Sequence, residues 1–101
     1  CEIDVALLKA ANIDPYEKID IYDITNGERL TTYAIPGKPD TGIIGINGAC
    51  CHKIDINDEI IICTYIILSE NERANHIPTI IYVNQSNQII DKPSNQKLNA
   101  I

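Results

Sequence analysis

One stretch constrains the fold more than any other. Residues 19–24 read Ile-Asp-Ile-Tyr-Asp-Ile, residues 30–35 read Leu-Thr-Thr-Tyr-Ala-Ile, and Asn26-Gly27 lies between them. Successive side chains of a strand point to opposite faces, so the first segment carries one apolar and one polar face. The second is rich in the β-branched and aromatic residues that fit a pleated surface. Asn-Gly suits a type I′ turn, in which both central residues need positive φ and the twist matches that of the paired strands. Residues 18–25 and 28–35 are therefore predicted as a β-hairpin.

The remaining segments are short and mostly of the same kind. Residues 59–68 are a run of β-branched side chains that fits a central strand better than a helix. Residues 43–46 read as a short strand, and Asn47-Gly48-Ala49 as a second tight turn. Residues 36–42 form a loop on their proline and glycine content. Residues 79–83 and 88–91 pair as a last hairpin across 84–87. Helix is confined to two places. Asp4 is an N-cap for a short helix with Val5, Leu7, Leu8 and Ala11 on its apolar face, stopped at Asn12. Ser69 caps a helical turn through Arg73, with Glu72 at the third position of a capping box. The polar tail from Pro93, residues 93–101, reads as disordered. No repeat or domain boundary interrupts the chain, so residues 1–101 are one all-β domain with short helices, a barrel or a sandwich.

Size and charge narrow the function classes. A chain of 101 residues buries only roughly 60–70% of its unfolded surface, so assembly with partners is expected. With 14 acidic against 8 basic residues and a net charge of −6, the surface suits neither nucleic acid nor an anionic membrane. No apolar run approaches the roughly 18 residues of a membrane span. There is no methionine, and Cys1-Glu2-Ile3-Asp4 is not a translation start. The expectation is a processed product with something removed upstream. The four cysteines are Cys1, Cys50, Cys51 and Cys63. Adjacent Cys50 and Cys51 cannot bridge each other without severe strain, and reduced thiols in the cytoplasm are the expected state. A zinc site from Cys50, Cys51, His52 and His76 lacks any ligand spacing of the usual kinds, and no metal is expected.

No Ser-His-Asp order, phosphate loop or dinucleotide fingerprint is present. Polar residues cluster instead around the two Asn-Gly turns. By alternation Arg29 and Tyr33 share a strand face, while Thr32 faces the other way. They are candidates for a site, but Thr and Tyr are also ordinary strand residues, and Arg29 could pair with a surface carboxylate. The small residues of Asn47-Gly48-Ala49 let a ligand approach backbone N–H groups closely, though a plain turn would have the same composition.

Several blocks together carry a resemblance: Cys1-Glu2-Ile3-Asp4, Leu8-Lys9-Ala10-Ala11, the run from Thr25 to Ile35 with its Asn-Gly-x-Arg-x-x-Thr-Tyr core, and Asn47-Gly48-Ala49. In order and spacing, from residue 1 to about residue 91, the chain resembles the α-chain of the pyruvoyl-dependent aspartate 1-decarboxylase family. The resemblance implies a six-stranded double-psi β-barrel assembled as a homotetramer of αβ units, with sites between subunits. It implies a proenzyme that cuts itself at a Gly-Ser bond, the serine becoming a covalently bound pyruvoyl group immediately before Cys1. The implied activity is that of a carboxy-lyase: L-aspartate is decarboxylated through a Schiff base to β-alanine and CO₂, feeding pantothenate and coenzyme A biosynthesis. On this resemblance Tyr33 is the proton donor, and Arg29 holds a substrate carboxylate. Thr32, Asn47, Gly48, Ala49 and Cys50 contact substrate. The family's separate β-chain contributes a lysine to the site, and an accessory factor can assist maturation. Three positions depart from relatives: Cys50 and Cys51 stand where many have alanine, and Tyr22 stands where some have tryptophan. The rival readings are an N-terminal-nucleophile amidohydrolase using an exposed Cys1, and a non-catalytic β-barrel interaction domain.

Overall fold

The alternating segment becomes β2 (Lys18–Asp23), the middle strand of a sheet ordered β3-β2-β6, in a computed structural model that describes residues 1–92. Its neighbours are β3 (Arg29–Tyr33) and β6 (Ile60–Cys63), both antiparallel to it. Ile19 and Ile21 project inward and are 1% and 0% exposed, so the centre of the sheet is also the centre of the core. A second sheet is ordered β4-β1-β5, from β1 (Glu2–Asp4), β4 (Ile35–Gly37) and β5 (Ile44–Gly45). β1 runs parallel to β4 and antiparallel to β5. Only Ala34, which is 0% exposed, separates β3 from β4, so the chain passes from one sheet to the other through the core. β7 (Tyr82–Val83) and β8 (Ile89–Ile90) form a small hairpin.

Helix α1 (Val5–Ala11) follows β1 without a break because Asp4 ends the strand and caps the helix. Its carboxylate accepts from the Ala6 N–H at 2.7 Å, which satisfies one orphan donor of the first turn. The same group accepts from the Asp40 and Gly42 N–H groups at 3.1 and 2.9 Å, tying the 38–43 loop to the end of β1. These bonds, that from Gly42 above all, hold the Asp4 carboxyl below its ordinary value against the opposing effect of burial. Asn12 stops the helix in the left-handed conformation at φ 59°. Helix α2 (Glu70–Asn75) carries the full capping box: the Glu72 N–H donates to Ser69 Oγ and the Ser69 N–H to Glu72 Oε1, each at 3.2 Å. Both helix starts are where the sequence puts them.

Four expectations change. The Asn26-Gly27 turn is not type I′, because only Gly27 has positive φ (79°). Asp23 explains why: its Oδ1 accepts from the Thr25 and Asn26 N–H groups, and its carbonyl accepts from the Gly27 N–H, which folds residues 24–27 into a wider capped loop. Residues 59–68 are not one strand. Pairing with β2 stops at Asp20–Cys63, although Lys18 and Ile19 carry β2 further; residues 64–68 leave the sheet and Ile67 is 99% exposed. Residues 35–37, read mainly as loop, are strand β4; Pro36 is tolerated because β4 is an edge strand. Residues 47–49 open into a 3₁₀ helix, Gly48–His52, rather than closing a tight turn. Among the described residues the strands form three sheets that do not close into a barrel, and the tail 93–101 lies outside the described residues.

The other oxygen of Asp23 is buried without a hydrogen-bond partner among the described residues. Burial, and then the neighbouring Asp58 carboxyl, raise the Asp23 pKa, while Asp58 is lowered.

Candidate functional site

The alternation of β3 sends Arg29, Thr31 and Tyr33 to the exposed face and leaves Leu30 and Thr32 half-buried on the other. Arg29 and Tyr33 therefore share a face and Thr32 does not, as the period-2 reading has it. Tyr33 is 52% exposed, and its phenol makes no hydrogen bond among the described residues. Arg29 has no carboxylate partner there either; Lys53 and Glu28, at 3.4 Å, form the ion pair. The guanidinium lies instead over the Tyr22 ring, with Cζ 4.8 Å from the ring centroid. The β2–β3 register explains this contact, since Tyr22 stands directly opposite Arg29.

Asp20, Tyr22, Arg29, Leu30 and Thr31 line an open groove of about 230 Å³. Thr31 Oγ1 donates to Asp20 Oδ1 at 2.6 Å, which turns this carboxylate toward the threonine. The Tyr22 hydroxyl is hydrogen-bonded to the Tyr65 hydroxyl, and the Cys63 thiol donates to Tyr65 at 3.5 Å. The bond with Cys63, and then that with Tyr22, push the Tyr65 phenol well above the ordinary tyrosine range. Sequence reading missed Tyr65 altogether and treated Tyr22 only as an aromatic exchange. The hairpin register contained the signal for Tyr22; the position of Tyr65, just beyond β6, did not follow from any local pattern.

The chain start meets this strand. The Cys1 nitrogen donates to the Tyr33 carbonyl at 3.0 Å, and the Cys1 carbonyl accepts from the Ile35 N–H at 2.7 Å. The β1–β4 pairing continues this contact, so Cys1 and Tyr33 are brought together across 32 residues of chain. The Cys1 side chain is only 6% exposed, packed in the core with Ile3 and Leu7. That burial corrects the exposed nucleophile needed by the amidohydrolase reading.

Asn47, Gly48 and Ala49 are exposed and Cys50 is half-buried, at the start of the 3₁₀ helix. No hydrogen bond among the described residues joins them to Arg29, Thr32 or Tyr33. The link runs through the far end of that helix: Asn26 Nδ2 donates to the Lys53 carbonyl at 2.7 Å, beside the Lys53–Glu28 ion pair. His52 and His76 are exposed, and among the described residues no group of three or more His, Cys, Asp or Glu side chains is arranged to hold a metal. All four cysteines are unpaired. No helix is long and apolar enough to cross a membrane among the described residues.

These features define a β-rich protein whose Arg29 guanidinium and Tyr33 phenol share one sheet face without an ion pair or hydrogen bond among the described residues, beside a chain start held in the core. Residues 1–90 match the model of the aspartate decarboxylase family, and the chain belongs to that family. It is 48% identical over 87 residues to the aspartate 1-decarboxylase of Ruthia magnifica, covering 86% of this chain and 73% of that relative. It is 43% identical over 89 residues to the aspartate 1-decarboxylase of Methylibium petroleiphilum, covering 88% of this chain and 74% of the relative.

Proposed function

We propose that this chain is the catalytic α-chain of an aspartate 1-decarboxylase, converting L-aspartate to β-alanine and CO₂. The observation that carries the reading is the meeting of the Cys1 nitrogen with Tyr33 on the strand that also bears Arg29. The residues fit a pyruvoyl group on the Cys1 nitrogen, because that nitrogen is held 3.0 Å from the Tyr33 carbonyl while the Cys1 side chain is anchored in the core. When bound, such a group supplies an electrophilic carbonyl and an electron sink for loss of a carboxylate as CO₂.

The chain's own side chains do the rest. Arg29 binds a substrate carboxylate in the bidentate manner a planar guanidinium allows, and its lack of a carboxylate partner among the described residues leaves it available. Tyr33 holds a proton on its phenol oxygen and delivers it to the α-carbon after CO₂ has left. Asn47, Gly48, Ala49 and Cys50 offer a small, open backbone to the substrate, and Thr32 contacts it from the half-buried face of β3. The site is completed by a separate β-chain and by neighbouring copies in a homotetramer. Ile61, Tyr65, Ile66, Ile67, Ile77 and Ile80 are apolar or aromatic and exposed, a surface that suits such partners. On this reading residues 1–101 are one domain, and β-chain strands complete a six-stranded double-psi barrel along the open sheet edges. The protein then works in the cytoplasm, without a metal, in pantothenate biosynthesis, with or without a maturation factor.

Intact-mass measurement of the purified protein tests this, together with CO₂ release from aspartate. A pyruvoyl group adds about 70 Da to the chain, from the atoms of an acyl group replacing one amine hydrogen. A chain with a bare Cys1 amine that releases no CO₂ from aspartate would overturn the proposal.

A further inference from the structure

Arg29 is exposed, flexible by its chemistry and without a carboxylate partner among the described residues, yet its guanidinium has a fixed neighbour in the Tyr22 ring, 4.8 Å from Cζ to the centroid. A tyrosine ring can hold a guanidinium only if the ring is itself held. The half-buried Tyr22 points its hydroxyl away from β2, where the hydroxyl of Tyr65 meets it. Tyr65 lies two residues past the end of β6, in the segment that leaves the sheet, and is tied back by the Cys63 thiol at 3.5 Å. Cys63 is itself paired with Asp20 across β2 and β6. The chain of contacts thus runs from the sheet through Cys63, Tyr65 and Tyr22 to Arg29.

We infer that Tyr65 is a positioning residue for Arg29, pinning the Tyr22 ring through the paired hydroxyls so that the guanidinium is aligned before a carboxylate arrives. The inference rests on the proposed role of Arg29 as the carboxylate clamp. A phenylalanine at position 65 would keep the packing and lose only the strut. The strut acts by reducing the rotamer freedom that Arg29 loses on binding, so it affects ground-state and transition-state binding alike. Its signature is a change in KM with kcat left in place.

The test uses the assembled, active enzyme and compares Tyr65→Phe, Tyr22→Phe, the double variant and Arg29→Lys. Freezing one long side chain is worth about threefold to tenfold in affinity. Tyr65→Phe and Tyr22→Phe are each expected to raise the KM for aspartate by about that factor, at unchanged kcat. The double variant is expected to be no worse than either single one, because both remove the same bond. An unchanged KM in Tyr65→Phe, additive losses in the double variant, or an equal fall in kcat would each overturn the inference. Thermal unfolding of Tyr65→Phe should match the parent, and a large loss of stability would mark Tyr65 as structural instead. Arg29→Lys separates the two levels. A raised KM there with no effect of Tyr65→Phe refutes the strut alone. An unaltered KM in Arg29→Lys refutes the clamp on which the strut depends.

Discussion

Gly42 has a left-handed backbone (φ +70°), and its surroundings allow a specific test of the packing between the two ends of the chain. Its N–H donates to Asp4 Oδ2 at 2.9 Å, and its carbonyl accepts from Asn87 Nδ2 at 2.8 Å. A Cβ built at this position would overlap the Ser86 carbonyl oxygen and lie 3.4 Å from the Asn87 Cβ. Gly27 (φ +79°) and Gly48 (φ +64°) share the conformation but have nothing within 4 Å of the added atom. Alanine in a left-handed conformation costs about 1–2 kcal/mol at any of the three sites. Forcing an extra carbon into a packed contact costs about 1–3 kcal/mol more. Gly42→Ala should therefore lose about 2–5 kcal/mol, and Gly27→Ala and Gly48→Ala only about 1–2 kcal/mol. Urea unfolding of the three variants, compared at equal m-value, measures the difference. Equal losses in Gly42→Ala and Gly27→Ala would refute the packing argument. The Asp4 carboxyl adds a pH signature. Its lowered pKa gives stability that is present above the ordinary aspartate value and lost as pH falls through the folded value. Because the Gly42 N–H is the main cause of that shift, the deficit of Gly42→Ala should shrink toward acid pH.

Two further predictions concern the site and the capped loop beside it. Tyr33→Phe should lower kcat for β-alanine formation by about 10²–10⁴ with little change in KM, and unchanged turnover would remove Tyr33 from proton delivery. Asp23→Asn should stabilise the protein at neutral pH. The raised Asp23 pKa means that its favourable contribution is present at acid pH and lost as pH rises through the folded value, whereas an amide stays uncharged at every pH. The gain in melting temperature should grow from acid to neutral pH; a gain independent of pH would refute the raised pKa of Asp23.

Local patterns in the sequence determined a good deal of this protein. The alternation at 19–24 specified which side of β2 is buried, because a strand has no other way to separate Ile19 and Ile21 from Asp20 and Tyr22. Asp4 with Asn12, and Ser69 with Glu72, specified the helix starts and one stop through hydrogen bonds made within a few residues. The same logic put Arg29 and Tyr33 on one face. Contacts between distant segments were another matter. The parallel pairing of β1 with β4 brings Cys1 to Tyr33, and no local signal marks it, since each strand is only three residues long and one contains Pro36. The end of β6 at Cys63 is not marked in its own run of isoleucines, which resumes at Ile66 and Ile67. The Tyr22–Tyr65 bond depended on where residues 64–68 go once they leave the sheet. Periodicity and capping act over a few residues and can be read in order along the chain. Which strand edge meets which, and what then stands beside Arg29, is decided by the packing of the whole core.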